Sequence, residues 1–383
     1  MSRFQEIQAE NKLRRERIIE GKYNCLPFPF MRFRRVYPGV EQGKFIIITA
    51  NQKVGKSKLA DYLFIYEPLF YMMEHPELRV KVIYFSLEMS AKEKFNEFEC
   101  YLLSRLDHIH IDTRRLRSVD KPCDPRIFEL LETERYQKYI RAYEEMVIFN
   151  DTDKNPTGIR KFYRDYALKH GHYNFTTIQV ENEFTGEMED KKVLDPINPY
   201  TQDDEEEYRI IILDNAANVA TEKGQDTLFK AIEKVSKDGI VAKKQLKYIF
   251  VLIQHQAQAQ EGIENMKLDQ MEPSAAGLGD NKTTSRDVNC IMGLYNPSKF
   301  NKKEHLGYNI LRLKDNGRFL KFLEDRDYGA GGNICPLFFD GATSTFKELP
   351  LTSEKEELEK YYRYAEFLQS RQEPEELILS NPK

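Results

Sequence analysis

The 383 residues, 40% hydrophobic and 12% aromatic, exclude a wholly disordered chain and suffice for one large domain with insertions or for two domains. A formal net charge of −4 advertises no global basic field, so any contact with DNA or RNA must be local. The five cysteines are scattered and lack CxxC spacing, which favours neither a zinc site nor a disulfide framework and fits a reducing, cytoplasmic setting; no apolar run reaches membrane-spanning length.

Residues 1–20 read as a short, highly charged helix with a thin apolar stripe of Phe4, Ile7 and Leu13, either solvated or an arm that docks on a neighbouring subunit. A Pro- and Gly-punctuated lead-in loop ends in a turn at Gly43. An alternation typical of a parallel α/β sheet follows. "FIIIT" (Phe45–Thr49) is a buried strand by its continuous apolar character, and residues 56–74 are helical. "VKVIYFSLE" (Val80–Glu88) is the second strand. The helix after it starts at Ser90, with Glu93 at capping-box spacing. Helices over 126–146 and from Pro156 to Gly171 flank a strand at "MVIFND". "YRIIILDN" (Tyr208–Asn215) is another buried strand, residues 225–244 are helical, and "LKYIFVLIQ" (Leu246–Gln254) is the next strand. "VNCIMGLYNP" and "YNILRLK" read as two later strands. The acidic, hairpin-like segment 172–207 reads as an insertion on the sheet edge. The long polar segment 256–286 reads as a functional loop. The domain division is 1–38 (helix and linker), 39–340 (core) and 341–383 (charged helix and tail).

Between the first strand and its helix lies Ala50-Asn51-Gln52-Lys53-Val54-Gly55-Lys56-Ser57, followed by Lys58. This matches a phosphate-binding loop in all but its first glycine, which is Ala50. Backbone N–H groups at the helix start face phosphates, Gly55 permits close backbone approach, Lys56 supplies a charge and Ser57 offers a hydroxyl to Mg²⁺. Asp214, after four apolar residues of "RIIILD", is the candidate Mg²⁺-associated carboxylate. Glu88 ends the strand after the loop and is the candidate base that orients water. Gln254 closes "YIFVLIQ" as the candidate γ-phosphate sensor. Each stands at the C-terminal end of its own predicted strand, the edge where open α/β sheets bind ligands.

"ANQKVGKS", "FSLEMS", "IIILDN" and "VLIQHQ" together resemble the motif series of the DnaB-like replicative helicases, particularly those of bacteriophages, over roughly Gly39 to Leu323 with 172–207 outside. The resemblance implies an α/β, RecA-like P-loop NTPase core in a hexameric ring. It also implies ATP and Mg²⁺ as cofactors, single-stranded DNA and replication forks as partners, 5′→3′ unwinding, and a helicase loader or other replisome proteins nearby. A phage-encoded chain would act in the host cytoplasm. Segment 256–286 would face the ring channel, with Lys267, Lys282 and Arg286 as DNA contacts and Asn218 and Lys223 as a second set.

Two departures from that family pattern stand out. In "LRLKDNGRF", Asp315 occupies the place of the arginine that reaches a neighbour's γ-phosphate. Arg318 is favoured as the finger, with Lys314 as its partner and Arg312 nearby. Only residues 1–38 precede the core, so primase recruitment by the usual route is not expected. The competing readings are another RecA-like ATPase of recombinase or clock type, and a nucleotide-switched assembly factor.

Overall fold

The computed structural model describes residues 3–370 apart from 183, 263, 264, 266, 267 and 269. Strands buried on both faces have no solvent side to alternate toward, so the apolar runs become sheet. Among the described residues, nine strands join one sheet: β1 (Phe45–Ala50), β2 (Arg79–Ser86), β3 (Val147–Asn150), β4 (Glu207–Asp214), β5 (Ile249–His255), β6 (Cys290–Tyr295), β7 (Gly317–Asp325), β8 (Ile334–Asp340) and β9 (Thr345–Glu348). Their spatial order is β9-β8-β7-β6-β1-β5-β4-β2-β3. The block from β6 to β3 is parallel, and β7, β8 and β9 each run antiparallel to the preceding strand.

Helices cover both faces. On one lie α2 (Lys56–Asp61), α3 (Ala91–Asp107) and α4 (Glu134–Met146), packed on Ile46 and Ile48 of β1. On the other lie α5 (Pro156–Lys169) and α6 (Leu228–Leu246), packed on Phe45 and Ile47. Each fully buried isoleucine contributes roughly 1.5–3 kcal/mol. α2 continues through a wide π turn at Tyr62–Tyr66 into Glu67–Glu74. Pro68 cannot donate to the carbonyl four residues back, and the wider turn accommodates it. α3 begins with the expected capping box: Ser90 Oγ accepts from Glu93 N–H (3.3 Å) and Glu93 Oε2 accepts from Ser90 N–H (2.8 Å).

Three boundaries differ from the sequence reading. Leu26, Phe28, Phe30, Phe33 and Tyr37 are buried in the main core, so the lead-in segment belongs to the domain rather than to a linker. Only the helix ahead of it, α1 (Arg3–Ile19), stands out with Phe4, Ile7, Leu13, Ile18 and Ile19 exposed. Position 340 falls inside the β8–β9 hairpin, and Lys355–Ser370 forms a helix (α7) packed under it. "YNILRLK" is a short helix over Ile310–Leu313 because the Asn309 side chain caps Arg312 N–H, and the strand begins only at Gly317. The 172–207 insertion does contain a hairpin, Phe175–Glu181 with Met188–Leu194. It leads into the first residue of β4, so it projects from the rim where the strands begin rather than from a lateral edge.

Candidate nucleotide site

In the parallel block, register brings the strand ends together. Asp214 lies opposite Ser86, Gln254 opposite Thr49, and His255 opposite Ala50. The loop between β1 and α2 therefore opens on the rim that carries the ends of β2, β4 and β5. Gly55 precedes α2 with φ +104°, and a Cβ there would also sit 3.2 Å from the Phe339 ring. Both constraints require glycine. Ala50 is fully buried at the end of β1, where a methyl fits. Asn51 and Val54 are buried, while Gln52 and Lys53 are exposed at the tip, Lys53 in the left-handed region.

Around this loop the structure gathers Lys56, Ser57, Glu88, Asp214 and His255. Lys56 Nζ lies 2.9 Å from His255 Nδ1 and donates to Asn51 O at 3.3 Å. Burial, opposed by Asp214 and Glu88, lowers the Lys56 ammonium to about 8. Burial and then the Lys56 charge lower His255 to about 4, so a neutral ring accepts at Nδ1. Ser57 Oγ donates to Asp214 Oδ1 (3.0 Å). Asn215, the next residue, donates from Nδ2 to Glu88 Oε2 (2.6 Å), holding the exposed Glu88 carboxylate at the rim. Mg²⁺ fits this set. Ser57 and Asp214 present two hard oxygens side by side, and Asn51 Oδ1 of the adjoining loop is buried without a partner among the described residues.

The sequence missed His255, and strand periodicity explains why Gln254 stands in a different place from the one expected. Successive side chains alternate faces. Ile253 packs on the α2 side and Leu252 on the α6 side, so His255 turns toward the phosphate loop and Gln254 away from it. Gln254 is fully buried. It donates to Gly279 O and to Asn281 O (2.9 Å), and it accepts from Thr284 Oγ1 (2.9 Å). As placed, it ties the end of β5 to the loop that carries Lys282, on the strand face opposite His255. Lys299 was also missed: its ammonium donates to Gln52 O (3.1 Å) and pairs with Glu261 (2.8 Å) beside the loop tip.

Two further candidates have their side chains engaged within the chain. The Lys58 ammonium donates to Gly341 O (2.7 Å) and pairs with Glu97 (3.2 Å), bracing the β8–β9 hairpin. Arg318 is 1% exposed. Its guanidinium donates to Val54 O (2.8 Å), Asp315 O (2.7 Å) and Gly317 O (2.9 Å), and it stacks over Phe339. As placed, these donors are committed inside the chain, against the loop that precedes α2, and Asp315 lies 3.3 Å away as the counter-charge. Arg312 is committed to Glu359 and Glu366. Lys314 is exposed on the same turn.

Of the DNA candidates, Lys267 lies outside the described residues. Lys282 and Arg286 are exposed and line an open depression of about 310 Å³ with Ala275, Ala276, Thr283, Ser285 and Glu324. Asn218 and Lys223 are exposed in the loop after β4. No described helix is long and apolar enough to cross a membrane.

No protein-family model and no curated protein sequence matches the chain. Solved structures share its fold. One, described as an ATPase domain, aligns with a TM-score of 0.58 at 16% identity over 89% of this chain and 98% of that one. Another is a DnaB-like replicative helicase described with its interactions with primase. It aligns with a TM-score of 0.59 at 16% identity over 88% of this chain and 66% of that one. The chain thus has the mostly parallel α/β fold of DnaB-like ATPase domains.

Proposed function

We propose that the chain is an ATP-dependent replicative DNA helicase. It works as a hexameric ring that translocates 5′→3′ along single-stranded DNA at a fork, in the host cytoplasm if phage-encoded, with a loader or other replisome protein as partner. The observation that carries this reading is the convergence of Lys56, Ser57, Glu88 and Asp214 on one rim of a sheet with the DnaB-like fold.

In this reading, ATP phosphates enter the loop 51–55 and Lys56 exchanges its contacts with His255 and Asn51 for phosphate oxygens. Mg²⁺ bound through Ser57 and Asp214 would neutralise charge on the β- and γ-oxygens. Glu88, steadied by Asn215, accepts the proton of the attacking water. His255, released by Lys56, is the neutral group left to report the γ-phosphate, and Gln254 links the same strand end to the loop with Lys282. Lys314, exposed on the turn before β7, would be the cation that reaches the next subunit, and the apolar stripe of α1 would be the arm that docks there. Lys282, Arg286, Asn218 and Lys223 supply backbone contacts to DNA. Such contacts are sequence-tolerant and weaken with salt.

The test is unwinding of forked DNA carrying either a 5′ or a 3′ tail by the wild type and by Lys56→Ala. ATP-dependent unwinding from the 5′ tail, absent in the variant, supports the reading. Full turnover in Lys56→Ala, or none on any fork, sinks it. A nucleotide-switched assembly factor is the second reading, favoured by the burial of Arg318. ATP binding without DNA-stimulated turnover would select it.

A further inference from the structure

Beneath the rim, Asp214 is tied into a buried polar cluster whose other members the site described above does not use. Tyr84 on β2 donates its hydroxyl to Asp214 Oδ2 (2.9 Å). Lys94 on α3 lies 3.7 Å from that same oxygen, 2.8 Å from Asp61 of α2 and 3.6 Å from Glu97. The Lys94 ammonium also stands over the Tyr84 ring. Tyr84, Lys94, Asp61 and Asp214 are all 2% exposed or less. A lysine buried this deeply persists only where anions surround it. Asp61, Asp214 and Glu97 are the anions that surround Lys94, and the Tyr84 hydroxyl is spent on Asp214.

The two oxygens of Asp214 are therefore not equivalent. Oδ2 is directed inward to Tyr84 and Lys94, while among the described residues Oδ1 accepts from the Ser57 hydroxyl at the rim. We infer that Tyr84 and Lys94 are positioning residues that lock Asp214 so that Oδ1 alone faces the divalent cation. This rests on the reading that Asp214 and Ser57 hold Mg²⁺. Local structure delivers both groups. Tyr84 sits two β2–β4 register steps before the strand end, opposite Ile212, on the face toward α2. The capping box at Ser90 fixes the start of α3 and hence the angle at which Lys94 enters.

Binding of a fluorescent ADP to the full chain, titrated with Mg²⁺ and repeated in EDTA, tests the assignment without turnover. The variants are Tyr84→Phe and the charge-compensated Asp61→Asn/Lys94→Met, chosen because Lys94→Met alone leaves a surplus of buried carboxylates; thermal melts check their folding. Groups that orient a metal ligand typically contribute 10–100-fold to metal affinity. The Mg²⁺ concentration for half-maximal tightening is therefore expected to rise about tenfold or more in Tyr84→Phe, with affinity in EDTA unchanged. The double variant should move in the same direction. An unchanged Mg²⁺ requirement in Tyr84→Phe, or an equal loss of affinity in EDTA, overturns the inference. A wild type whose affinity ignores Mg²⁺ overturns the underlying metal assignment instead.

Discussion

Arg318→Ala separates two roles that the sequence leaves open. A finger acts across subunits, so its loss would spare nucleotide binding by an isolated subunit and cripple the assembled ATPase. A strut acts within its own subunit. The guanidinium is 1% exposed and bonded to three backbone carbonyls, one of them Val54 O in the phosphate loop. Removing one member of such a buried charged network costs about 3–5 kcal/mol, because its partners stay behind unsatisfied. Over 383 residues the unfolding entropy is about 0.8 kcal/mol/K, so the melting temperature should fall by about 4–6 °C. Losing the charge-assisted bond to Val54 alone, worth about 1.5–3 kcal/mol, should weaken nucleotide binding by isolated subunits about tenfold or more. Calorimetric melting and equilibrium binding at concentrations below assembly are the assays. Arg318→Lys, which keeps the charge but not the planar fork, should fall between. An Arg318→Ala subunit with unchanged melting temperature and affinity, but a crippled assembled ATPase, would refute the strut and restore the finger.

Glu88→Gln should bind ATP with wild-type affinity and lose hydrolysis by about 10²–10⁴-fold, as expected for removal of a general base; unchanged turnover would move the base elsewhere. Lys314→Ala should leave subunit binding intact while lowering only the assembled ATPase; equal activity would exclude it as the trans-acting cation. The Lys56 ammonium, lowered to about 8 in the free protein and favoured in its charged form by phosphate, links nucleotide binding to pH. Below pH 8 both states carry the proton. Above it, binding takes one up, so affinity should fall by up to about tenfold per pH unit as pH rises from 8 toward the value of the bound state. Calorimetry in buffers of different ionisation enthalpy should show little proton uptake at pH 7 and a clear uptake at pH 9. No difference between the two pH values would contradict this.

Much of the core was legible because it depends on short-range rules. The continuous apolar run "FIIITA" marks an interior strand, Gly-Lys-Ser after it falls at a helix start, and Ser90 with Glu93 three residues later writes its own helix beginning. Asp214 at the end of β4, Glu88 just past β2 and Lys56 at the start of α2 share one rim because a parallel block puts all such strand ends together. Which face a side chain takes at that rim was harder to read. Gln254 and His255 are neighbours in sequence, yet one step of strand alternation gives the phosphate loop to the histidine and the Lys282 loop to the glutamine. Arg318 looked free because its partners, Val54 and Phe339, are far away in sequence. Lys94, Asp61 and Tyr84 gave no signal at all, since a buried charge becomes intelligible only when the carboxylates around it are seen. The sequence by itself determined the order of strands and helices and the chemistry available at their ends, because those follow from apolar periodicity and backbone propensity. Tertiary structure alone decided which polar groups are spent inside the fold and which stand at the strand-end rim, because desolvation is set by neighbours brought together only on folding.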